Sequence, residues 1–445
     1  MSATPAAPLP DPVVGEIEAF LQETIALMPP DSRPTVGRPR VLPALALWAG
    51  LLVCVLRGFS SQLALWRLLS AGQFWFYPRF PISDQAVYRR LAQAGTVPLE
   101  RLFHQISTVL ADRLSPYAAT DLAPFATAVV ALDETTLDAV ARTLPALRDL
   151  PPGDTRLLPG QLAGVFDLRR QQWRHIQHHA QPHQNEKVAA RDLLATLPSG
   201  ALVLADLGYF GFAWFDTLTD GGYWWVSRLR AQTSYQVRHV FYQDGHTFDG
   251  LVWLGAHRAD RAKHAVRLVT FRAGSTTHRY LTNVRDPQQL SLRQIAQLYA
   301  RRWDIELALK TVKRHLKLHL LWSAKPVVIL QQVWAVLIIA QVLQALQGEI
   351  AGRAGVDPFD VSLALLVTYL PQYAYTGQDP VATFVRQGRA LGFIRPSRRT
   401  VIQAPRVPAG QSRPLPPDLP LERVPRYAGR KAGPRPSRPS AHIPD

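Results

Sequence analysis

The chain has a single cysteine, Cys54, in 445 residues. No disulfide can close within it and no cysteine-based zinc site can form, so a reducing compartment such as the cytoplasm suits it. Residues 1–30 hold no basic stretch ahead of an apolar run, so no signal peptide is expected. Uninterrupted long apolar runs are missing as well. The run at 41–56 is short and carries Pro43 and Gly50, and the run at 327–346 is broken by Gln331, Gln332, Gln341 and Gln344. Both are expected as buried helices and no membrane partner is expected. There is no glycine-rich phosphate loop, which argues against a nucleotide cofactor, and there are no internal repeats. Acidic residues are scarce: 33 Asp and Glu face 50 Lys and Arg, for a net charge of +17 and a pI near 10.4. That balance favours a polyanionic partner, nucleic acid before a membrane surface.

What is present suits a globular protein of two or three domains, with 47% hydrophobic and 19% charged residues. Residues 1–40 form a proline-rich, flexible N-terminal segment. Residues 41–124 read as a helical DNA-binding domain with helices near 44–57, 61–69, 84–94 and 99–114. In the third, Ser83 is a good N-cap and Gly95 a good C-cap. Val87 and Leu91 line one face of it while Arg89 and Arg90 lie elsewhere. A short Ser-capped helix after another helix can read a DNA groove, and an ordinary bundle helix has the same pattern.

At about residue 125 the pattern changes to short apolar runs of the kind that make buried strands. The run at 127–133 ends in Asp133. Runs at 160–168 and 172–181 flank the polar turn Arg169-Arg170-Gln171 and read as a hairpin. A helix at 186–197 precedes a strand at 202–206 that ends in Asp206, and a helix at 212–219 precedes a strand at 223–229. Four alternating runs follow, at 234–242, 247–254, 264–271 and 278–284, with turns at Asp244-Gly245 and Ala273-Gly274. They read as a β-rich insertion over 230–290. The whole is the element order of an α/β, RNase H-like catalytic domain over 125–350, followed by a C-terminal helical segment at 351–394. Residues 395–445 hold twelve Pro and eleven Arg or Lys against three acids. That composition predicts a disordered basic tail.

The segment 299–313 has no Gly or Pro and reads as one helix. On a wheel of about 100° per residue, Tyr299, Arg302, Glu306 and Lys313 share a stripe roughly 60° wide. A carboxylate flanked by two cations and a phenol suits a place where a metal ion and phosphates meet, and equally a solvated face with ion pairs. Together with Asp133 and Asp206 it makes three carboxylates, a donor set for hard divalent cations, Mg2+ or Mn2+. Two such ions about 4 Å apart suit phosphodiester chemistry. Two weaker groupings stand beside this one. His175, His178, His179 and His183 are close in sequence, but neighbours on a strand face opposite ways. Trp224, Trp225 and Trp253 could stack on a displaced base or could be core.

The spacing Tyr299-x2-Arg302-x3-Glu306-x6-Lys313 resembles the signature around the last acidic residue of DDE transposases of the IS-four insertion-sequence family. Ala-Leu-Asp133-Glu-Thr-Thr, Leu-Ala-Asp206-Leu-Gly-Tyr and Arg228 after the fifth strand extend the resemblance over roughly residues 60–350. It implies Asp133, Asp206 and Glu306 as the catalytic, metal-binding triad, with two Mg2+ or Mn2+ ions. It implies Tyr299, Arg302 and Lys313 as contacts to transposon-end DNA, and cut-and-paste transfer of double-stranded DNA from terminal inverted repeats into a target. A homodimer in the synaptic complex and a nucleoid-associated place in the cytoplasm follow from the same resemblance. The chain departs from the pattern at Glu134 and Leu207. An inactive DNA-binding relative and an RNase H-like nuclease without strand transfer are the alternative readings.

Overall fold

The computed structural model of the chain describes residues 21–26, 41–59, 61–71, 74–75, 77–137, 145–151, 154, 156–157, 160–180, 186–255, 260–314, 322–323, 325–375, 379–397 and 401–427. In order, the elements are helices α1 (Ala44–Leu56), α2 (Gln62–Ala71), α3 (Asp84–Ala94) and α4 (Val97–Arg113), strands β1 (Val129–Thr136), β2 (Gln161–Asp167) and β3 (Gln172–His179), helix α5 (Glu186–Leu194) and strand β4 (Leu202–Leu204). Helix α6 (Phe212–Asp220) and strands β5 (Trp224–Arg228), β6 (Tyr235–Asp244), β7 (Thr247–Leu254), β8 (Val266–Ala273) and β9 (Thr276–Thr282) follow. Helices α7 (Leu292–Arg301), α8 (Asp304–Arg314), α9 (Pro326–Ala354), α10 (Leu363–Tyr375) and α11 (Pro380–Gln387) complete the mixed α/β set.

The chain divides into two compact units: residues 1–206 with 297–402, and residues 207–296 with 403–445. Helices α1, α3 and α4 pack on α9.

Helix α9 is long and apolar enough to cross a membrane, yet its apolar window is 89% buried inside the protein. A helix that is apolar all round belongs in a core. Proline in its first turn and Gly355 in the left-handed conformation (φ 63°) set its ends. Its glutamines act as glue. Gln331 donates to the Leu91 and Gly95 carbonyls at the end of α3. The Gln341 amide accepts from the Trp173 backbone N–H at 2.9 Å and donates to the Trp173 carbonyl at 2.7 Å. It thereby does for β3, the outer strand, what a neighbouring strand would do.

In this first unit the strands run in the order β3-β2-β1-β4. β1, β2 and β3 form an antiparallel meander and β4 is parallel to β1. The expected hairpin is present: Asp167 accepts the N–H groups of Arg169 and Arg170, and Gln171 completes the turn at φ 56°. Ser83 caps α3 by accepting the Ala86 N–H, and Gly95 ends that helix at φ 69°.

The second unit holds an antiparallel set in the order β5-β9-β8-β7-β6. Its turns at Gly245 and Gly274 fall where the sequence placed them, both with positive φ. Of the segment expected to be a disordered tail, residues 398–400 and 428–445 lie outside the described residues, and the part up to Tyr427 is ordered. Residues 403–427 lie on this unit. The Ala265 N–H donates to Leu421 and the Arg423 N–H to Lys263, while Arg261 and Arg426 exchange backbone hydrogen bonds. The Arg423 side chain donates to the Ala262 and Leu254 carbonyls and stacks over Trp253. Tyr427 donates to Asp216 at 2.8 Å. Proline removes the donors needed for a regular strand. Isolated pairs and arginine donors suffice to hold an extended segment.

Candidate active site

Asp133 lies within β1 and not at its end, since the strand continues to Thr136. β1 and β4 are parallel, with Ala131 beside Leu204. Two residues further along each chain are Asp133 and Asp206, so the register carries both aspartates past the carboxyl end of β4 together. Asp133 stands opposite Gly164 of β2. A Cβ at Gly164 would meet the Trp173 ring at 2.6 Å. Residues directly opposite in an antiparallel pair share a face, so the indole occupies the side of the sheet next to Asp133. Burial accordingly pushes the Asp133 carboxyl up to about 6; the neighbouring Glu306 and Asp206 raise it further, while the Glu134 N–H and Arg302 oppose the rise.

Glu306 sits in the first turn of α8, which packs on β1. The single helix expected over 299–313 is a correction. Helix α7 ends at Arg301, Arg302 and Trp303 form a turn, and α8 begins at Asp304. The break has a visible cause. Asp304 is buried, and its carboxylate accepts from the Gln171 side chain at 3.0 Å. Burial pushes it up to about 7 against that hydrogen bond. A carboxylate at a helix start is favoured by the exposed N–H groups there. The turn replaces the shared stripe with a direct contact: Arg302 Nη2 donates to Glu306 Oε1 at 2.7 Å.

Arg302 is 9% exposed. Its guanidinium carbon lies 5.9 Å from the Tyr299 ring centre and 5.6 Å from that of Trp303. Burial works against its charge, and the Glu306 hydrogen bond, with Tyr299, Glu306 and Asp133 nearby, more than offsets this, so its pKa lies above the ordinary value. Tyr299 is buried and supports Arg302. Lys313 belongs to α8, and its side chain lies outside the described residues. Arg89 is exposed on α3, whereas Arg90 donates to the Leu42 carbonyl at 3.3 Å. Arg228 is exposed at the end of β5 in the second unit.

The rival groupings fare differently. His175 stacks on His104 of α4 at 4.3 Å and 19°, and burial pushes it down to about 4. His179 is buried, and His183 lies outside the described residues. Trp225 is core, stacked on Phe215 with its N–H on Thr219. Trp253 is held by Arg238 and Arg423. Gln171 and Asp304 are the supporting pair that sequence reading missed. Gln171 showed only as a turn residue, and nothing in a sequence links it to a partner 133 positions away.

The donor chemistry of Asp133, Asp206 and Glu306 fits a hard divalent cation, and Glu306 and Asp206 both act electrostatically on Asp133. Their convergence is incomplete. Among the described residues no three His, Cys, Asp or Glu groups are placed to hold a metal ion, and Glu306 is committed to Arg302.

Residues 157–342 match the Transposase DDE domain family. The match takes in Asp206, Arg302, Glu306 and Lys313, starts after Asp133, and covers less than half of the chain. A Sinorhizobium fredii protein provisionally named transposase y4zB is 29% identical over 130 residues, which are 27% of this chain. The matched stretch spans 36% of that relative's length. A cryo-EM structure of a piggyBac transposase synaptic complex with hairpin DNA aligns over 90% of this chain and 85% of its own, with 10% identity and a TM-score of 0.38.

Proposed function

We propose that the protein is a DNA transposase of the IS-four type that cleaves transposon ends and joins them to target DNA. The observation that carries this is the parallel register of β1 and β4, which leads Asp133 and Asp206 off the same edge of the sheet, with Glu306 of α8 acting electrostatically on Asp133. The family match over 157–342 supports it. The order β3-β2-β1-β4, with a meander followed by a strand parallel to β1, supports an RNase H-like catalytic domain.

The three carboxylates would hold divalent ions, Mg2+ or Mn2+ and two in number. When bound, such ions supply activation of the attacking hydroxyl and charge stabilisation of the leaving oxygen. The chain's own groups do the rest. Asp133 would offer oxygens from β1 and Asp206 from just beyond the end of β4. Glu306 would join them from α8, whose first residue, Asp304, is tied to Gln171. Arg302, by its planar fork, and Lys313 would hold phosphates of the transferred end. Arg228, Arg89 and Arg90 are further proposed DNA contacts, with Arg89 the most open of the α3 pair. Tyr299, being buried, would act through Arg302. A homodimer pairing two terminal inverted repeats, at work on the nucleoid, completes the reading.

The test is an oligonucleotide assay on a duplex bearing the element's inverted repeat, with Mg2+ or Mn2+ and a target plasmid. The expected result is a nick at the repeat boundary and a joined product. Cleavage without joining would mean a nuclease, and retention of DNA without cleavage a binding protein.

A further inference from the structure

The geometry points to Arg302 as a tethered counter-cation that occupies Glu306 until the phosphate of a DNA end draws it away, so that end binding and metal binding become coupled. This rests on the metal-binding reading of the triad above.

Three observations carry it. First, Arg302 holds Glu306 through one hydrogen bond of 2.7 Å, with side-chain exposures of 11% and 33%. While that bond holds, the positive guanidinium lies against Glu306 and disfavours a metal cation at the same carboxylate. Second, the hold is incomplete. A guanidinium has five N–H donors. Among the described residues the Arg302 Nε is buried with no hydrogen-bond partner. Leaving a buried donor unpaired is costly, and a phosphate, which accepts two parallel bonds from the fork, would relieve it. Third, Arg302 sits in the turn between α7 and α8 and not within either helix. Its guanidinium is flanked by Trp303, which is 55% exposed. A residue in a turn, next to an open surface, can change partners without unwinding a helix.

The consequence is linkage. If a phosphate and Glu306 compete for Arg302, and Arg302 and a metal ion compete for Glu306, the phosphate and the metal ion favour each other, each to the same extent. The three carboxylates then reach full metal affinity only with an end in place, which would guard against cleavage without a bound end.

Calorimetric titration with Mn2+, with and without a duplex carrying a cleaved terminal repeat, tests this without measuring activity. In the wild-type protein the duplex should tighten Mn2+ binding about tenfold. Arg302→Gln should bind Mn2+ about tenfold more tightly than wild type without DNA, and the duplex should then add little. Arg302→Lys, which keeps the charge, should bind Mn2+ without DNA within about threefold of wild type. Thermal unfolding of each variant shows whether it is folded, and if Arg302→Gln is not, Arg302→Met takes its place. Unchanged or weaker Mn2+ binding by the folded neutral variant would overturn the latch. Glu306→Gln is the separate control. If it binds Mn2+ as wild type does, the metal reading of the triad itself falls, whatever Arg302 does.

Discussion

The two units each contain a buried arginine paired with a carboxylate, and the pairs are built to opposite specifications. In the second unit Arg267 is fully buried and meets Asp249 with two parallel bonds of 2.6 Å. Its remaining nitrogen donates to the Leu290 carbonyl at 2.5 Å and the Asp286 carbonyl at 3.4 Å. In the first unit Arg302 makes one bond to Glu306 and leaves its Nε unused. A saturated pair fixes β7, β8 and the chain before α7. An unsaturated pair keeps capacity for another partner. The difference separates a structural ion pair from one available for chemistry, although in sequence both are an arginine and an acid among apolar neighbours.

The largest expected effect breaks the saturated pair. Arg267→Met strands Asp249 as a buried, unpaired charge and should cost about 3–5 kcal/mol in urea denaturation. Arg302→Met should cost less than about 1 kcal/mol, because the partly exposed Glu306 can turn to water. Equal losses would remove the distinction. Next is the C-terminal segment, whose Arg423 is another arginine used for packing. Truncation after Ile402 should lower stability, since each hydrogen bond lost is worth about 0.5–1.5 kcal/mol before the entropy of ordering the segment is set against it. Truncation after Tyr427 should leave the denaturation midpoint unchanged, and a similar drop from both cuts would show that the strap contributes nothing.

A smaller effect tests the support of α8, the helix that carries Glu306. Gln171→Leu removes a donor from buried Asp304 and should cost about 1–2 kcal/mol. It should also lower joining without altering end binding, as read by gel retardation beside a joining assay. The smallest concerns pH. Burial holds His175 below its usual 6.5, down to about 4. Its contribution is therefore complete above pH 6.5 and falls away as the pH drops toward 4, because the unfolded chain takes up the proton first. His175→Phe, which keeps an aromatic partner for His104, should flatten thermal stability between pH 6.5 and 4. An unaltered slope would exclude His175 as its source.

Much of the fold could be read from local signals. The apolar runs that became β1 and β4, the Ser83 cap and the Gly245 and Gly274 turns each depend on a few adjacent residues. β1 and β4 are parallel, so Asp133 and Asp206 each lie two residues beyond the last paired positions, Ala131 and Leu204. The helix break at Arg302 did not show, because a wheel assumes continuity and the cause is buried Asp304 meeting Gln171 from another element. Order in residues 403–427 did not show either. Composition registers the prolines and charges but not the carbonyls of Ala262 and Leu254 that wait for Arg423. The resemblance implies Arg302 as a DNA contact, and within the protein its partner is Glu306, four residues on.

The central claim is that Asp133, Asp206 and Glu306 work as one catalytic cluster. Its most direct test is strand joining by Asp133→Asn, Asp206→Asn and Glu306→Gln, with Asp249→Asn as a carboxylate outside the cluster. Each of the first three should lose at least about a thousandfold in joining, as loss of an essential group does, while its unfolding midpoint and end binding stay near wild type. Asp249→Asn should lower stability and leave joining by the folded fraction intact. Near wild-type joining by any one of the three cluster variants would contradict the account.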